Sequence, residues 1–228
     1  MADPLTIMFR TDASLEIGTG HVMRCLTLAS GLLERGANIS FLCRAHDGNL
    51  IDLIRSHGFS VYVLPLLLQV DDNDQTQTDL PHAAWLGCNW ERDVEHCRAM
   101  MRDPVDWIII DHYALDYRWE KAMRDKCHEM MCIDDLADRK HDCDILLDQN
   151  LGRTEEHYRK FVSWETKLLL GPRYALLRCE FAEWRDASLN SRKQPKLRHL
   201  LVAMGGVDSV NVTEVILKTI EHFPSTGI

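Results

Sequence analysis

Short apolar runs alternate with segments of helical spacing along most of this chain of 228 residues, and this alternation constrains the fold most strongly. The apolar runs predict β-strands over Leu5–Arg10, Asn38–Arg44, Ser60–Leu64, Val105–Ile110, Glu129–Ile133 and Asp144–Leu147. The segments between them predict helices over His21–Arg35, Asn49–His57, Trp90–Met101 and Asp116–Cys127. Strands that alternate with helices form a parallel sheet covered on both faces. The pattern predicts a doubly wound, Rossmann-like α/β fold, which binds ligands at the carboxyl ends of its strands.

The first predicted helix shows its spacing clearly. Val22, Leu26, Ala29 and Leu33 recur at intervals of three and four residues, which places them on one face of a helix. Gly36 is typical of the residue that follows a helix end.

A polar segment, residues 186–196, has the composition of a linker. We interpret residues 1–185 as an N-terminal Rossmann-like domain and residues 197–228 as the beginning of a second one. This beginning contains a predicted strand, Arg198–Met204, a glycine turn, and a predicted helix, Val212–His222. One strand and one helix cannot bury a core of their own, so we expect the second domain to be truncated at residue 228.

Composition and charge exclude several classes of protein. The net charge of −9 argues against nucleic acid as a partner, because affinity for the phosphate backbone comes from clustered lysine and arginine. No apolar run is long enough to span a bilayer, and the N-terminus lacks a signal pattern. The eight cysteines form no C-x-x-C pair, which is typical of reduced thiols in the cytoplasm. We therefore expect a cytoplasmic protein with no membrane partner.

The segment Gly18–Arg24, with the sequence GTGHVMR, forms a glycine turn between a predicted strand and a predicted helix. It differs from a dinucleotide fingerprint, because Met23 replaces the third glycine. His21 lies in the first helical turn, where the helix dipole disfavours an imidazolium, so a neutral imidazole could act as a general base. The alternative is a histidine that caps or packs the helix. Positive potential for an anionic ligand could come from Arg10, Arg24 and Arg44.

Polar residues also follow two later strands. Asp111, His112 and Tyr113 come directly after Val105–Ile110 and predict side chains that line a site. Asp134 and Asp135 follow the next strand and leave three roles open. They could bind a metal together with Asp111 and His112, bind sugar hydroxyls and amides, or hold loops by hydrogen bonds. The spacing matches no compact metal motif, so we expect neither a metal nor a cofactor.

The second glycine turn, Gly205 and Gly206, again joins a predicted strand to a predicted helix. Backbone N–H groups in such a turn can cradle a diphosphate. Two glycine turns at equivalent places in successive α/β units favour a nucleotide-sugar bound between two domains.

Five segments, taken together, resemble the UDP-sugar hydrolases of pseudaminic acid biosynthesis, which are relatives of the MurG-type glycosyltransferases with the GT-B fold. The segments are Gly18–Ala29, Asp111–Glu120, Ile133–Gly152, Leu169–Phe181 and Met204–Glu214. The resemblance extends from about Arg10 to Glu214. It implies a GT-B-like fold, with a catalytic N-terminal domain and a nucleotide-binding C-terminal domain.

The resemblance also implies a reaction. The family hydrolyses UDP-2,4-diacetamido-2,4,6-trideoxy-β-L-altropyranose to UDP and the free sugar, with cleavage of the anomeric C–O bond and inversion. His21 matches the histidine taken as the base that activates water. The implied contacts with the UDP-sugar are Arg10, Asp12, Gly18, Thr19, Gly20, Arg24, Asp111, His112, Tyr113, Gly205 and Gly206. Association with other enzymes of the pathway and a role in flagellin glycosylation are further expectations.

Two alternatives stay open at this point. A GT-B glycosyltransferase would use a sugar hydroxyl as acceptor where the hydrolase uses water. A truncated, inactive fragment would act only as a binding module, because in the family the second domain supplies most contacts with uridine and diphosphate. We expect the chain alone to bind UDP-sugar weakly.

Overall fold

A computed structural model of the chain describes residues 3–66, 80–193, 200–204, 208 and 210–222. Its strands are β1 (Thr6–Thr11), β2 (Asn38–Arg44), β3 (Ser60–Leu64), β4 (Val105–Asp111), β5 (Cys127–Ile133), β6 (Ile145–Asp148) and β7 (Lys167–Leu170). Its α-helices are α1 (Gly20–Leu33), α2 (Ile51–Ser56), α3 (Trp90–Met100), α4 (Tyr117–Met123), α5 (Glu155–Tyr158), α6 (Cys179–Ser191) and α7 (Val212–Ile220). Short 3-10 helices cover Ala83–Leu86, Arg124–Lys126 and Pro172–Tyr174.

The seven strands form one sheet in the order β3-β2-β1-β4-β5-β6-β7, and all neighbouring strands are parallel. The order reverses between β1 and β4, where Thr11 pairs with Asp111. In doubly wound sheets this reversal opens a crevice at the carboxyl ends of the two strands. The predicted α/β fold with a parallel sheet is confirmed. The polar loops that follow β1 and β4 lie at this crevice.

Buried apolar side chains form a cluster on each face of the sheet. Along β4, Ile108 and Ile110 belong to one cluster and Ile109 belongs to the other, as expected from the alternation of side chains in a strand. The first cluster includes Trp119 of α4, and the second includes Val22 of α1. Helices therefore cover both faces, which explains why the strands read as continuous apolar runs.

Helix α1 contains the four residues predicted to share one face. Val22, Leu26 and Ala29 are buried, together with Cys25. Leu33 is 50% exposed because it is the last residue of the helix.

Other boundaries also differ from the sequence prediction. Helix α4 ends at Met123, because the chain turns through a 3-10 helix and Cys127 already pairs with Val105 in the sheet. The prediction of a helix up to Cys127 was therefore wrong over its last turn. Strand β7, which pairs with β6 at the edge of the sheet, was missed because KLLL is too short to show a period.

The chain divides into two compact units, Met1–Leu176 and Leu177–Ile228. The first contains the whole sheet. The second contains α6, which extends through residues 186–191 of the predicted linker, and α7. Leu200–Met204 carries no strand, so the predicted strand is wrong over its described part, since a strand requires a paired neighbour. The predicted domain boundaries stay a prediction. No helix in the described part of the chain is long and apolar enough to cross a membrane.

Candidate active site

His21 and Asp111 meet at the crevice between β1 and β4. Asp111 is the last residue of β4, and His21 is the second residue of α1, which follows the glycine turn after β1. The distance between His21 Nδ1 and Asp111 Oδ1 is 2.6 Å. Asp111 is fully buried and His21 is 6% exposed. A carboxylate can only accept, so this contact assigns the Nδ1 proton to His21 and leaves Nε2 as the basic nitrogen.

Arg24 lies one helical turn after His21 and holds the same carboxylate. Its Nε and Nη2 donate to Asp111 Oδ2 and Oδ1 at 2.5 and 2.6 Å, in a bidentate pair. Burial would raise the pKa of Asp111, but the interaction with His21 and the charge and hydrogen bonds of Arg24 hold that pKa well below its usual range. Asp111 is therefore a permanent anion behind the imidazole.

Tyr113 borders His21 and connects to Arg24 through Asp135. Its ring contacts the imidazole edge-on, with centroids 4.5 Å apart. Its hydroxyl donates to Asp135 Oδ1 at 2.5 Å, and Arg24 Nη1 donates to Asp135 Oδ2 at 2.8 Å. Burial, followed by the bond to Asp135, raises the pKa of Tyr113, so its hydroxyl stays protonated. The loops after β4 and β5 are thus tied to α1 around one imidazole.

The glycine turn leaves space next to His21. Gly18 has φ of 76°, in the left-handed region, and its N–H donates to Ser14 O at 2.9 Å. A Cβ added at Gly18 or Gly20 would meet no atom within 4 Å. Thr19 makes no capping hydrogen bond with its side chain, and the first turn of α1 contains no acidic residue. A helix N-terminus of this kind is suited to an anionic group.

Arg10 and Arg44 lie inside the domain in a buried ion network. Arg10 donates to Asp93 Oδ2 at 3.1 Å and Oδ1 at 2.8 Å, and lies 2.7 Å from Asp12 Oδ1. Arg44 donates to Asp93 Oδ1 at 2.6 Å, and Trp119 Nε1 donates to Asp93 Oδ2 at 2.9 Å. Because their side chains are fully buried and paired, their positive charges are compensated within the network.

Asp12 and His112 connect that network to the crevice. Asp12 Oδ1 accepts from the backbone N–H of Arg44 at 2.6 Å, and Asp12 Oδ2 lies 3.3 Å from His112 Nε2. The backbone N–H of Ala114 donates to His112 Nδ1 at 3.1 Å, so the ring proton lies on Nε2 and faces Asp12. Burial lowers the pKa of His112. This arrangement fixes the loop that carries Tyr113.

The sequence-predicted residues thus fall into two groups. Those brought together at the crevice are His21, Arg24, Asp111 and Tyr113, beside the turn of Gly18, Thr19 and Gly20. Arg10, Asp12 and His112 lie beneath it, buried among the strands. Gly205 and Gly206 lie outside the described residues. Contact of any of these residues with a ligand stays a prediction.

Asp134 and Asp135 hold loops. Asp134 lies 2.8 Å from Arg139 Nη1 and accepts from Tyr158 Oη at 3.0 Å and from the backbone N–H of Ala137 at 2.9 Å. Asp135 binds Arg24 and Tyr113, as described above. Of the three roles left open by the sequence, these contacts match the hydrogen-bonded loops.

Sequence reasoning missed Asp93 and the ring pair His82 and Trp85. Asp93 stands next to Val94 on the buried side of α3, so an acid flanked by apolar helical positions was the available signal. No periodic pattern marks His82 and Trp85, whose rings lie 4.3 Å apart near Tyr113.

One group in the described part of the chain brings three metal-ligating atoms within 4.8 Å of one another: Glu120, Cys132 and His141. Its members bind each other. Glu120 Oε1 accepts from Cys132 Sγ at 3.2 Å and from His141 Nδ1 at 2.7 Å, while Oε2 accepts from the backbone N–H of Asp142. The carboxylate is satisfied by these donors, which accounts for its burial.

Comparison with known proteins gives two curated relatives. The chain is 27% identical over 224 residues to UDP-2,4-diacetamido-2,4,6-trideoxy-beta-L-altropyranose hydrolase of Campylobacter jejuni, covering 98% of this chain and 68% of that protein. It is 28% identical over 218 residues to the uncharacterized protein MJ1062 of Methanocaldococcus jannaschii, covering 94% of this chain and 39% of that protein. No protein-family model matches the chain.

Two solved structures are also similar. One is LpCGTa in complex with UDP, with a TM-score of 0.38 and 18% identity, covering 60% of this chain and 32% of that one. The other is CalG4, the calicheamicin glycosyltransferase, with a TM-score of 0.36 and 15% identity, covering 98% of this chain and 44% of that one. Both TM-scores lie below 0.5, so no functional inference follows from them. The chain is similar along nearly its whole length to the Campylobacter hydrolase, with its glycine turn, His21 and Asp111 gathered at one crevice.

Proposed function

We propose that this chain is the catalytic part of a UDP-sugar hydrolase that releases UDP from a UDP-2,4-diacetamido-2,4,6-trideoxyhexose. The observation that carries the proposal is the pairing of His21 with Asp111 beside the open glycine turn, at the crevice where such folds bind ligands. Similarity to the Campylobacter hydrolase over 98% of the chain supports the choice of substrate class. The chain spans 39% of the length of one curated relative and 68% of the other.

His21 is the general base in this proposal. Its Nε2 takes a proton from water while the water oxygen bonds to C1 of the sugar, on the face opposite UDP. The bond between C1 and the diphosphate oxygen breaks, and UDP leaves with the electron pair. Asp111 stabilises the imidazolium that forms and keeps Nε2 directed to the water. UDP departs as a stable anion, so one base suffices where most glycosidases use two carboxylates.

In this proposal the remaining residues bind the UDP-sugar and position it. The N-terminus of α1 favours negative charge, and so does the adjacent backbone of Gly18, Thr19 and Gly20. Tyr113 borders the sugar, and Gly205 and Gly206, which lie outside the described residues, are assigned to the diphosphate. A place in pseudaminic acid biosynthesis in the cytoplasm, association with enzymes of that pathway and a contribution to flagellin glycosylation belong to the same proposal.

The test follows UDP release and the sugar anomer by phosphorus and proton NMR, in EDTA, with UDP-2,4-diacetamido-2,4,6-trideoxy-β-L-altropyranose. Two forms are compared: the 228-residue chain, and the chain joined to the part of the Campylobacter relative that it does not cover. We expect the joined form to release UDP and invert the anomeric centre. His21→Ala should abolish turnover, while His57→Ala, at an exposed histidine, should not change it.

Two outcomes would contradict the proposal. Equal UDP release by His21→Ala and the unsubstituted protein would remove His21 as the base. Release of UDP only when a second sugar is added as acceptor would instead identify a glycosyltransferase.

A further inference from the structure

Three aromatic rings from two separate segments contact one another, and one of them, Tyr113, also contacts the imidazole of His21. Tyr113, after β4, contacts that imidazole at 4.5 Å between centroids. Trp85 stacks on Tyr113 at 5.8 Å with an interplanar angle of 27°, and His82 lies 5.4 Å from Tyr113. His82 and Trp85 are themselves 4.3 Å apart. We call these three rings, His82, Trp85 and Tyr113, the aromatic wall.

The turn that carries His82 and Trp85 is held against the domain. The backbone N–H of Trp85 donates to His82 O at 3.0 Å, which closes the 3-10 turn around the two rings. Leu86, the next residue, is buried in the core. Gly87 ends the turn with φ of 71°, and a Cβ there would lie 2.9 Å from His46 Cε1. The turn is therefore held by the burial of Leu86 in the core and by its own backbone hydrogen bond.

The third ring is fixed by polar contacts. Tyr113 donates its hydroxyl to Asp135, and the guanidinium carbon of Arg139 lies 5.8 Å from its ring centroid. All three rings keep part of their surface exposed. Rings that are anchored and still accessible provide a binding surface without a large cost in ordering side chains.

The wall differs chemically from the charged residues near His21, which are Arg24, Asp111 and Asp135. An aromatic surface favours C–H and methyl groups, whereas a hydroxyl placed against it would lose its hydrogen bonds to water. A sugar next to His21 would therefore turn its apolar substituents to the wall and its polar groups to these charged residues.

We propose that the aromatic wall selects a deoxygenated, N-acetylated sugar by contacting its methyl groups, chiefly through Trp85 and His82. The 6-deoxy carbon and the acetamido groups of a 2,4-diacetamido-2,4,6-trideoxyhexose supply three such methyl groups. The inference rests on the proposed function for its substrate class. It adds two residues that determine specificity and touch the sugar without taking part in proton transfer.

The first measurement is catalytic selectivity. The joined form described above is assayed with the trideoxy UDP-sugar and with its analogue that carries a 6-hydroxyl. A hydrophobic site separates substrates that differ in one small group by about 10-fold to 200-fold, so we expect kcat/KM to favour the trideoxy sugar by at least about 10-fold. Trp85→Ala should reduce this ratio to about 3-fold or less, mainly through KM. Trp85→Phe should retain most of this selectivity ratio. The ratio for His82→Ala should lie between the ratios for Trp85→Ala and Trp85→Phe.

The second measurement is binding without turnover. Saturation-transfer NMR on the 228-residue chain, with free 2,4-diacetamido-2,4,6-trideoxy-L-altrose, should show the strongest transfer to its methyl protons. Trp85→Ala should weaken that transfer. Trp164→Ala is the matched control, because Trp164 is 88% exposed elsewhere on the chain. Thermal melting of each variant verifies that it is folded.

The outcomes separate the inference from the proposed function. If Trp85→Ala is folded, hydrolyses the sugar and keeps the selectivity ratio, the wall has no role in specificity and the inference is wrong. If the joined form fails to hydrolyse the sugar but methyl transfer depends on Trp85, the hydrolase proposal is wrong and the wall stands as a sugar-binding surface. Absence of both hydrolysis and methyl transfer overturns both.

Discussion

His21 and Asp111 stand 90 residues apart in the chain, and their side chains meet at 2.6 Å. The contact exists because β1 and β4 are neighbours at the point where the strand order reverses. One strand end supplies the glycine turn and helix that present the imidazole, and the other supplies the carboxylate. Arg24 completes the arrangement by holding both oxygens of that carboxylate from the same helix as His21.

Asp111→Asn should lower kcat for UDP release strongly. The amide has no charge to stabilise an imidazolium, and it can donate to Nδ1 and so favour the wrong tautomer of His21. General base catalysis contributes about 10²-fold to 10⁴-fold, so we expect a loss within that range and a smaller change in KM. Steady-state kinetics of the joined form measures both.

Asp52→Asn is the matched control for that substitution, because the Asp52 side chain is 98% exposed. It should leave kcat unchanged. A kcat for Asp111→Asn within about threefold of the unsubstituted protein would show that Asp111 does not act through His21, since it is far smaller than the range for base catalysis.

Much of this architecture is readable from the sequence. Runs such as Val105–Ile110, which are apolar apart from Asp106, predict central strands, because a strand buried on both faces has few polar positions. The turn at Gly18 and the polar triplet after β4 could be placed at one edge of the sheet, because the carboxyl ends of parallel strands lie at the same edge. The KLLL strand and the 3-10 turn around Trp85 are short, and their conformations depend on neighbours distant in the chain, which a local pattern does not contain.

The buried network shows a different limit. The sequence identified Arg10 and Arg44 as positive charges for a ligand, whereas the structure pairs both with Asp93. Charge type can be read from a sequence, but the partner of a charge depends on the three-dimensional packing of α3 against the sheet. The burial of Asp93 is visible only as an acid among the apolar positions of a helix.

Asp93→Ala should destabilise the first unit severely. It would leave Arg10 and Arg44 without one of their carboxylate partners in a fully buried site, and would remove the acceptor for Trp119. Loss of one partner from a buried ion pair costs about 3–5 kcal/mol of unfolding free energy. Urea denaturation followed by circular dichroism measures the change.

The control for Asp93→Ala is Glu95→Ala on the same helix, since the Glu95 side chain is 67% exposed. Surface substitutions usually change stability by less than about 0.5 kcal/mol. If the two variants unfolded at the same urea concentration, the buried network would not contribute to stability as its geometry implies.

Gly18→Ala and Gly20→Ala should have opposite effects on stability. Gly18 has φ of 76°, and a left-handed conformation costs a residue with a Cβ about 1–2 kcal/mol. Gly20 is the first residue of α1, where alanine favours the helix by up to about 1 kcal/mol. Neither Cβ would meet another atom within 4 Å, so the backbone conformation decides the sign in each case. Equal melting temperatures for the two variants would contradict this assignment.

His112 should make stability depend on pH in the acid range. Burial lowers its pKa in the folded state, while the unfolded value is about 6.5. Between these two values the unfolded chain binds a proton that the folded chain does not, so stability falls as pH decreases below about 6.5 and stops falling below the folded pKa. Asp12, which faces Nε2 at 3.3 Å, opposes the effect without removing it.

His112→Gln tests this, because an amide oxygen can accept from the backbone N–H of Ala114 in place of Nδ1. The free energy of unfolding of both proteins is measured by urea denaturation between pH 5 and pH 8. The difference between them should vary by up to about 1.4 kcal/mol per pH unit below pH 6.5 and be constant above it. A pH-independent difference for His112→Gln would show that His112 titrates equally in both states.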